Sequence, residues 1–424
     1  MTVATASAKS ACAMKTLTVL GSTGSIGTNT LDVIRQNPHL YDVYALAAGQ
    51  NVEVLLGQVL EFQPRVVVLS TLEGLERLAS GLRQKGLPRE RWPELLSGPA
   101  ALVEIATAPE VHIVLSAIVG VAGLEATYEA VRNGKRVALA NKEVLVSAGQ
   151  AVMEAVRRCG AELLPVDSEH NGVHQCLRAG NREQVARLIL TASGGPFRNT
   201  PKEALDLVTP AQALNHPTWR MGNRITVDSA TLMNKGFEVI EACWLFGFAP
   251  SQVDVVIHPQ STVHAMIEYT DGSILAQIAA TDMRMPIQYA LTYPERAQAP
   301  VPKINWQEPR AWDFAPPDMD KFPLLRLAYQ CLQTGGSATC TLNAADEIAV
   351  EAFLGGRISF PAIAAVVEET LSRLPNRQPR TIGDILEIDK ESRSLARKVT
   401  AERAGVAAPA EGGALRNSAV SVEA

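Results

Sequence analysis

Two carboxylates stand two residues apart in Pro165-Val166-Asp167-Ser168-Glu169-His170-Asn171-Gly172, behind the apolar pair Leu163-Leu164. In an extended chain, alternation would place Asp167 and Glu169 on one face and Ser168 on the other. Two carboxylates on one face repel unless a cation, a proton or a buried base lies between them. A divalent ion that prefers oxygen ligands suits such a pair. The same run would also suit a polar strand end on the surface, so the carboxylates alone do not decide.

A second carboxylate-bearing segment is Asp228-Ser229-Ala230-Thr231-Leu232-Met233-Asn234-Lys235-Gly236-Phe237-Glu238. With Asp228 or Ser229 as a cap, the residues that follow have helical spacing. Asn234 and Glu238 are then four apart and Lys235 and Glu238 three apart, so amide, ammonium and carboxylate share a face. That combination fits a phosphorylated substrate held beside a metal; the alternative is an ordinary ion pair on a wet helix. Ser193-Gly194-Gly195-Pro196, after an apolar run, offers small residues whose backbone can cradle phosphate. His216-Pro217-Thr218-Trp219-Arg220-Met221-Gly222 has the composition of an apolar flap that closes over a ligand, or of a loop packed permanently in place.

Gly21-Ser22-Thr23-Gly24-Ser25-Ile26-Gly27 lies between an expected strand and an expected helix. Glycines there let a phosphate approach the backbone at a helix N-terminus. The spacing is not the commoner Gly-x-Gly-x-x-Gly, so the strand-to-helix context carries the reading. After the second strand come Gly49-Gln50-Asn51, with no acid to hold ribose hydroxyls, which favours NADP over NAD. No Arg or Lys stands there to grip a 2′-phosphate either. Ala140-Asn141-Lys142-Glu143 also follows a strand, where a lysine can neutralise an anion, polarise a carbonyl or simply open a helix in solvent.

These segments need a scaffold, and the bulk numbers bound it. At 424 residues the chain is too long for one core. Hydrophobic content of 47% with 20% charged residues describes an ordinary globular protein, and a net charge of −5 gives no reason to expect a nucleic-acid surface. No apolar run approaches the ~20 residues that cross a bilayer. The six cysteines are scattered without a Cys-x-x-Cys pair, which fits a reducing compartment better than a zinc site or disulfide framework. The first residues lack the apolar stretch of a secretory signal.

Strands at 17–20, 43–48, 66–69, 113–117 and 137–140 alternate with helical stretches such as 26–36 and 52–62. That rhythm means βαβ units and a doubly wound parallel sheet. Strands at 187–191, 224–227, 253–258, 261–269 and 273–279 predict a second, mixed α+β sheet. Helices at 324–332, 344–354, 361–374 and 382–402, the last in one piece or two, predict a small C-terminal bundle. The expected division is 1–14 disordered tail, 15–160 dinucleotide-binding domain, 161–298 connective catalytic domain, 299–323 linker, 324–403 helical domain and 404–424 disordered tail.

Together the motifs resemble the 1-deoxy-D-xylulose 5-phosphate reductoisomerase family: GSTGSIG at 21, LANKE at 139, PVDSEHN at 165, SGGPF at 193, HPTWRMGNRITVDSATLMNKGFEVIEA at 216 and IHPQSTVH at 257. The resemblance covers about 15–403. It implies an α/β protein with a Rossmann-like parallel domain, a connective catalytic domain and a C-terminal α-helical domain. It implies metal ligands at Asp167, Glu169 and Glu238. Substrate contacts are implied at Lys142, Ser168, Glu169, Ser193, His216, Ser229, Asn234, Lys235 and Glu238, with Ser193, Ser229, Asn234 and Lys235 around the phosphate. NADPH contacts are implied at Thr23, Gly24, Ser25, Ile26, Gly49, Gln50, Asn51, Asn141, Glu143 and Gly222. Lys142, Asp167, Glu169, Glu238 and His216 would carry catalysis. Gln50 departs from the family, whose members often have a basic residue there.

The implied reaction rearranges 1-deoxy-D-xylulose 5-phosphate and reduces the resulting aldehyde with NADPH to 2-C-methyl-D-erythritol 4-phosphate, with Mg²⁺, Mn²⁺ or Co²⁺, in isoprenoid precursor synthesis. A cytoplasmic homodimer without nucleic-acid or membrane partners is expected. Two rivals are a simple NADP-dependent dehydrogenase, which needs no three-carboxylate site, and an NADPH-sensing module without turnover.

Overall fold

The computed structural model describes residues 14–219 and 221–406. The expected tails therefore lie, but for their innermost residues, outside the described part. The first part of the chain folds as a β/α ladder: β1 (Lys15–Leu20), α1 (Ser25–Gln36), β2 (Tyr41–Ala48), α2 (Val52–Phe62), β3 (Val66–Leu69), α3 (Leu72–Gln84), β4 (Glu94–Ser97), α4 (Pro99–Thr107), β5 (Ile113–Ser116), α5 (Leu124–Arg132), β6 (Arg136–Leu139), α6 (Glu143–Cys159) and β7 (Glu162–Pro165). The strands are all parallel, in the order β4-β3-β2-β1-β5-β6-β7. Helices cover both faces, so central strands are apolar throughout: Val66–Leu69 is buried at every position. Leu17, Leu46 and Leu115 belong to the cluster on one side, and Leu20, Val68 and Val114 to that on the other. β7 lies past residue 160 yet belongs to this sheet.

The strand order reverses between β1 and β5, and a ligand crevice opens beyond the carboxyl ends of the strands at such a point. The turn from β1 into α1 is pressed against the end of β5. A Cβ on Gly21, whose φ is +90°, would sit 2.5 Å from the Ala117 carbonyl oxygen; one on Gly27 would sit 2.3 Å from the Gly21 oxygen. Side chains at these positions would force strand and helix apart.

The next part contains α7 (Ser168–Leu177), β8 (Val185–Ala192), α8 (Pro210–Ala213), α9 (Asn223–Ala230), α10 (Met233–Phe246), β9 (Val253–Ile257), β10 (Val263–Tyr269), β11 (Ile274–Ile278) and α11 (Arg284–Thr292). Its sheet, β11-β10-β8-β9, is mixed: β8 and β9 are parallel, while β10 runs antiparallel to both β8 and β11. Residues 224–227 form no strand. Arg-Ile-Thr-Val is rich in β-branched residues, but Gly222 caps a helix there, the Thr226 hydroxyl bonds back to the Gly222 carbonyl at 2.8 Å, and Val227 and Ala230 are buried three residues apart. Tertiary burial overrides local preference. Nor does Asp228 or Ser229 cap the following helix: both lie inside α9, and Leu232 (φ +62°) makes the break before α10.

An irregular segment with exposed Trp306 and Phe314 crosses the surface, touching the mixed sheet by a bridge between Ala315 and Ile257. It delivers Phe322 into the core and starts α12 (Pro323–Thr334), which is followed by α13 (Ala338–Leu354), α14 (Phe360–Arg373) and α15 (Ile382–Val406). The last is one helix rather than two. Leu324, Phe353 and Val367 share a single apolar cluster with Leu190, Phe237 and Val255 of the mixed-sheet part. The helical layer and the mixed sheet thus stabilise each other.

Candidate active site

The first surprise is local. β7 stops at Pro165, Asp167 is the N-cap of α7, and Ser168 and Glu169 open that helix. Alternation therefore does not bring the two carboxylates together. Asp167 turns back to accept a hydrogen bond from the Glu169 N–H at 3.3 Å, and Ser168, Asp167 and Glu169 all face one cavity. An aspartate cap that satisfies a free helix N–H is the physical reason the strand ends where it does.

Glu238 approaches from the second turn of α10. One oxygen of each carboxylate of Asp167, Glu169 and Glu238 lies within 4.8 Å of the others, close enough to hold one ion. Two lysines lie among them. Lys142, at the start of α6, pairs with Asp167 and stands 3.6 Å from Glu238 and 4.0 Å from Glu241. Lys235 pairs with Glu238 and lies 3.0 Å from Glu169. Asn234 donates to Glu238 at 2.6 Å, so the spacing expected on this helix is realised.

Burial and competition split the acids. Burial pushes Glu169 up, but Lys235 and His264, helped by the Ser168 hydroxyl and Lys142, outweigh it and hold the group at about 2. Burial and the Glu169 charge raise Glu238 above the usual carboxylate range against both lysines. Burial likewise pushes Glu241, one turn farther along, up to about 8. Burial would lower Lys235, yet Glu169 and Glu238 raise it, so it remains an ammonium. Three carboxylates face only two lysines, and the repulsion that raises Glu238 is what a divalent cation held by the three would relieve.

A second subsite adjoins the first. Ser193 follows β8 and Ser229 sits in α9; their hydroxyls flank His216 Nε2 at 2.9 and 3.1 Å. His216 Nδ1 accepts from the backbone N–H groups of Thr218 at 3.2 Å and Trp219 at 2.9 Å. With Nδ1 accepting, Nε2 carries the proton and donates to a serine. Gly194 and Gly195 have φ of +81° and +67°, and a Cβ on Gly195 would meet the Ser229 carbonyl at 2.7 Å, so the close approach of these loops needs glycine.

The nucleotide side is formed by the turn after β1. Ser25 and Ile26 line the same cavity as the carboxylates, and Gly24 caps α1, with Thr23 just before it. Gly49 and Gln50 are exposed beyond β2; Asn51 caps α2 through its oxygen, bonded to the Val54 N–H at 3.3 Å, leaving its amide NH₂ for a ligand. Asn141 donates to the Gly120 carbonyl at 3.0 Å, while its own Oδ1 is buried without a partner among the described residues. Gly222 lines the cavity, but the Glu143 carboxylate is bound to Arg224 at 2.6 Å. Trp219 and Met221 form part of the wall, with the Trp219 ring 6.4 Å from that of His264.

His264, which lines the cavity and whose buried Nε2 has no partner among the described residues, is given no role by its motif IHPQSTVH, which it closes. Glu241 and Arg224 were also missed. Neither has a spacing that separates it from an ordinary charged helix residue.

Burial, then Arg198, lowers the His216 pKa from its ordinary 6.5. Below pH 6.5 the unfolded imidazole takes a proton that the folded one resists, so the stability contributed by neutral His216 is complete above that value and is lost as pH falls below it. We predict that His216→Gln costs about 1–2 kcal/mol at pH 7.5, from the lost backbone and serine hydrogen bonds. In urea titrations the gap from wild type should narrow steadily below pH 6.5; a gap constant down to pH 5 would contradict the bonding assigned here.

Residues 17–149 match the family profile of 1-deoxy-D-xylulose 5-phosphate reductoisomerase, 163–246 that of its C-terminal domain, and 278–395 that of the DXP reductoisomerase C-terminal domain. A 1-deoxy-D-xylulose 5-phosphate reductoisomerase of Solibacter usitatus is 73% identical over 391 residues, 92% of this chain and 98% of the relative. That of Thermoanaerobacter pseudethanolicus is 49% identical over 89% of this chain and 97% of its own length. Among solved structures, the Zymomonas mobilis enzyme in complex with NADPH superposes with a TM-score of 0.84 at 44% identity, covering 91% of this chain and 99% of that one. A DOX-P reductoisomerase in complex with NADPH, fosmidomycin and magnesium gives 0.85 at 40% identity, covering 92% and 98%. The chain belongs to the 1-deoxy-D-xylulose 5-phosphate reductoisomerase family.

Proposed function

We propose that this chain carries out the family's reaction: NADPH- and divalent-metal-dependent rearrangement and reduction of 1-deoxy-D-xylulose 5-phosphate to 2-C-methyl-D-erythritol 4-phosphate, a step toward isoprenoid precursors. The observation that carries the reading is convergence. Ser25 and Ile26 of the glycine-rich turn, the Asp167–Glu169–Glu238 cluster and the Ser193–His216–Ser229 triangle line one cavity.

The residues fit both a divalent ion and a dinucleotide. Three carboxylate oxygens within 4.8 Å of one another suit Mg²⁺, Mn²⁺ or Co²⁺, and the tight β1–α1 turn, with the unpartnered Asn141 Oδ1 nearby, suits a dinucleotide. When bound, the ion would supply Lewis-acid stabilisation of charge on substrate oxygens and NADPH the hydride. Asp167, Glu169 and Glu238 would hold the ion. Thr23, Gly24, Ser25, Ile26, Gly49, Gln50, Asn51, Asn141, Glu143 and Gly222 would border the dinucleotide, Glu143 from its place against Arg224.

The protein's own groups do the rest. Ser193, Ser229, Asn234 and Lys235 would grip the phosphate, with His216 donating between the two serines. This grip lies away from the reacting carbons, so its binding energy can be used to close Trp219 over the cavity and exclude water. Ser168, at the mouth of α7, is placed to touch a substrate hydroxyl. Lys142, held among Asp167, Glu238 and Glu241, would offer a fixed positive charge where oxygen charge develops.

A homodimer is supported by β11, an edge strand that leaves Ile274 51% and Leu275 38% exposed beside unpaired backbone groups. A cytoplasmic setting is supported by the five described cysteines, all free.

Adding the sugar phosphate should consume NADPH absorbance, and a chelator should abolish the loss. Asp167→Asn or Glu238→Gln should lower turnover on the order of 100-fold or more, with the melting temperature little changed. Undiminished turnover under chelation would leave a metal-free dehydrogenase as the better reading. Sedimentation should give twice the chain mass, reduced to the monomer by Leu275→Lys; a wild-type monomer would remove the dimer.

A further inference from the structure

Arg224 stands at the second position of α9, just past the 216–222 loop, and ties its own helix to two distant ones, α6 and α13. Its Nη1 lies 2.6 Å from Glu143 of α6 and 3.0 Å from Glu347 of α13, and its Nη2 donates to Asn343 of α13 at 2.8 Å. Two further acids face it at longer range, Asp228 at 3.7 Å and Asp346 at 3.8 Å. Glu347 also accepts from Arg393 of α15 at 2.9 Å, and Arg393 reaches Asp389 at 2.6 Å. A guanidinium has the fixed fork needed to hold several carboxylates in set directions.

Each contact has a consequence for the cavity. Glu143 is the first residue of α6, directly after Lys142, so its position sets that of the lysine. Glu347 lies beside Gly120 of the turn after β5, where a Cβ would be 3.7 Å from its oxygen, and the Gly120 carbonyl holds Asn141. Gly222 caps α9 two residues before Arg224 and ends the loop that carries Trp219. The helical layer, sharing the apolar core of the mixed sheet, is the fixed post to which these pieces are tied.

We propose that Arg224 is a positioning residue: through Glu143 it registers Lys142 and the cofactor-facing turns against the base of the Trp219 loop. The inference rests on the reading of Lys142 as a residue of the reaction site. It predicts that the inner pair, Arg224 and Glu143, acts on the rate as one unit, while the outer pairs of Arg393 act on stability alone.

The test compares Arg224→Met, Glu143→Gln, the double variant and Arg393→Met for kcat, KM of the sugar phosphate, NADPH dissociation constant and thermal midpoint. At saturating NADPH, each inner single variant should lower kcat roughly ten- to hundredfold, as expected for a displaced catalytic group, with the KM of the sugar phosphate little changed. The double variant should be no slower than the slower single one. Arg393→Met should lower the midpoint and leave kcat at the wild-type value. Multiplicative losses in the double variant, full kcat in Glu143→Gln, a Glu143→Gln loss explained by weaker NADPH binding, or a kcat loss in Arg393→Met would overturn the proposal. If Arg224→Met does not fold, the near-isosteric Glu143→Gln decides by itself. Absence of turnover in the wild-type protein would instead refute the reading of the site.

Discussion

Three carboxylates, two from the start of α7 and one from α10, are held within 4.8 Å of one another. Such an arrangement is unfavourable unless positive charge accompanies it, and low local dielectric makes the repulsion worse. Lys142 and Lys235 supply that charge within the chain, each placed between two of the acids. The need to keep five charged side chains together accounts for two features of the surrounding structure, the Asp167 cap and the buried first turns of α10. It also makes the cluster responsive, because an arriving cation can replace lysine contacts with stronger ones.

The parallel sheet turns that local demand into a site. The turns after β1, β5, β6 and β7 all emerge at one end, and they carry Ser25, Gly120, Lys142 and Asp167 in turn. The mixed sheet brings Ser193 at the end of β8, and α9 and α10 bring Ser229 and Glu238. The opposing piece is braced by a helical layer that shares its apolar core, so the phosphate grip and the metal cluster keep a common frame.

Much of this was legible in the chain itself. Continuous apolar runs betrayed the doubly wound sheet, since buried parallel strands tolerate little else, and the Asn234–Lys235–Glu238 spacing held because helical periodicity is local. Two readings failed for one reason. Residues 224–227 looked like a strand, and Asp167–Glu169 looked like strand alternation; in both, helix capping next to a tertiary contact outweighed β-preference. Arg224 was invisible because its hydrogen-bond partners lie 81 to 123 residues away, and sequence spacing carries no signal over such distances.

The central claim is that lysines and a metal ion compensate the same three carboxylates. Titrating Mn²⁺ into the protein without substrate, followed calorimetrically or by electron paramagnetic resonance, tests it most directly. Wild-type protein should take up one ion per chain, Glu238→Gln should lose that ion, and Lys142→Met, freed of a competing charge, should bind it more tightly. Weaker binding in Lys142→Met, or undiminished binding in Glu238→Gln, would contradict the account.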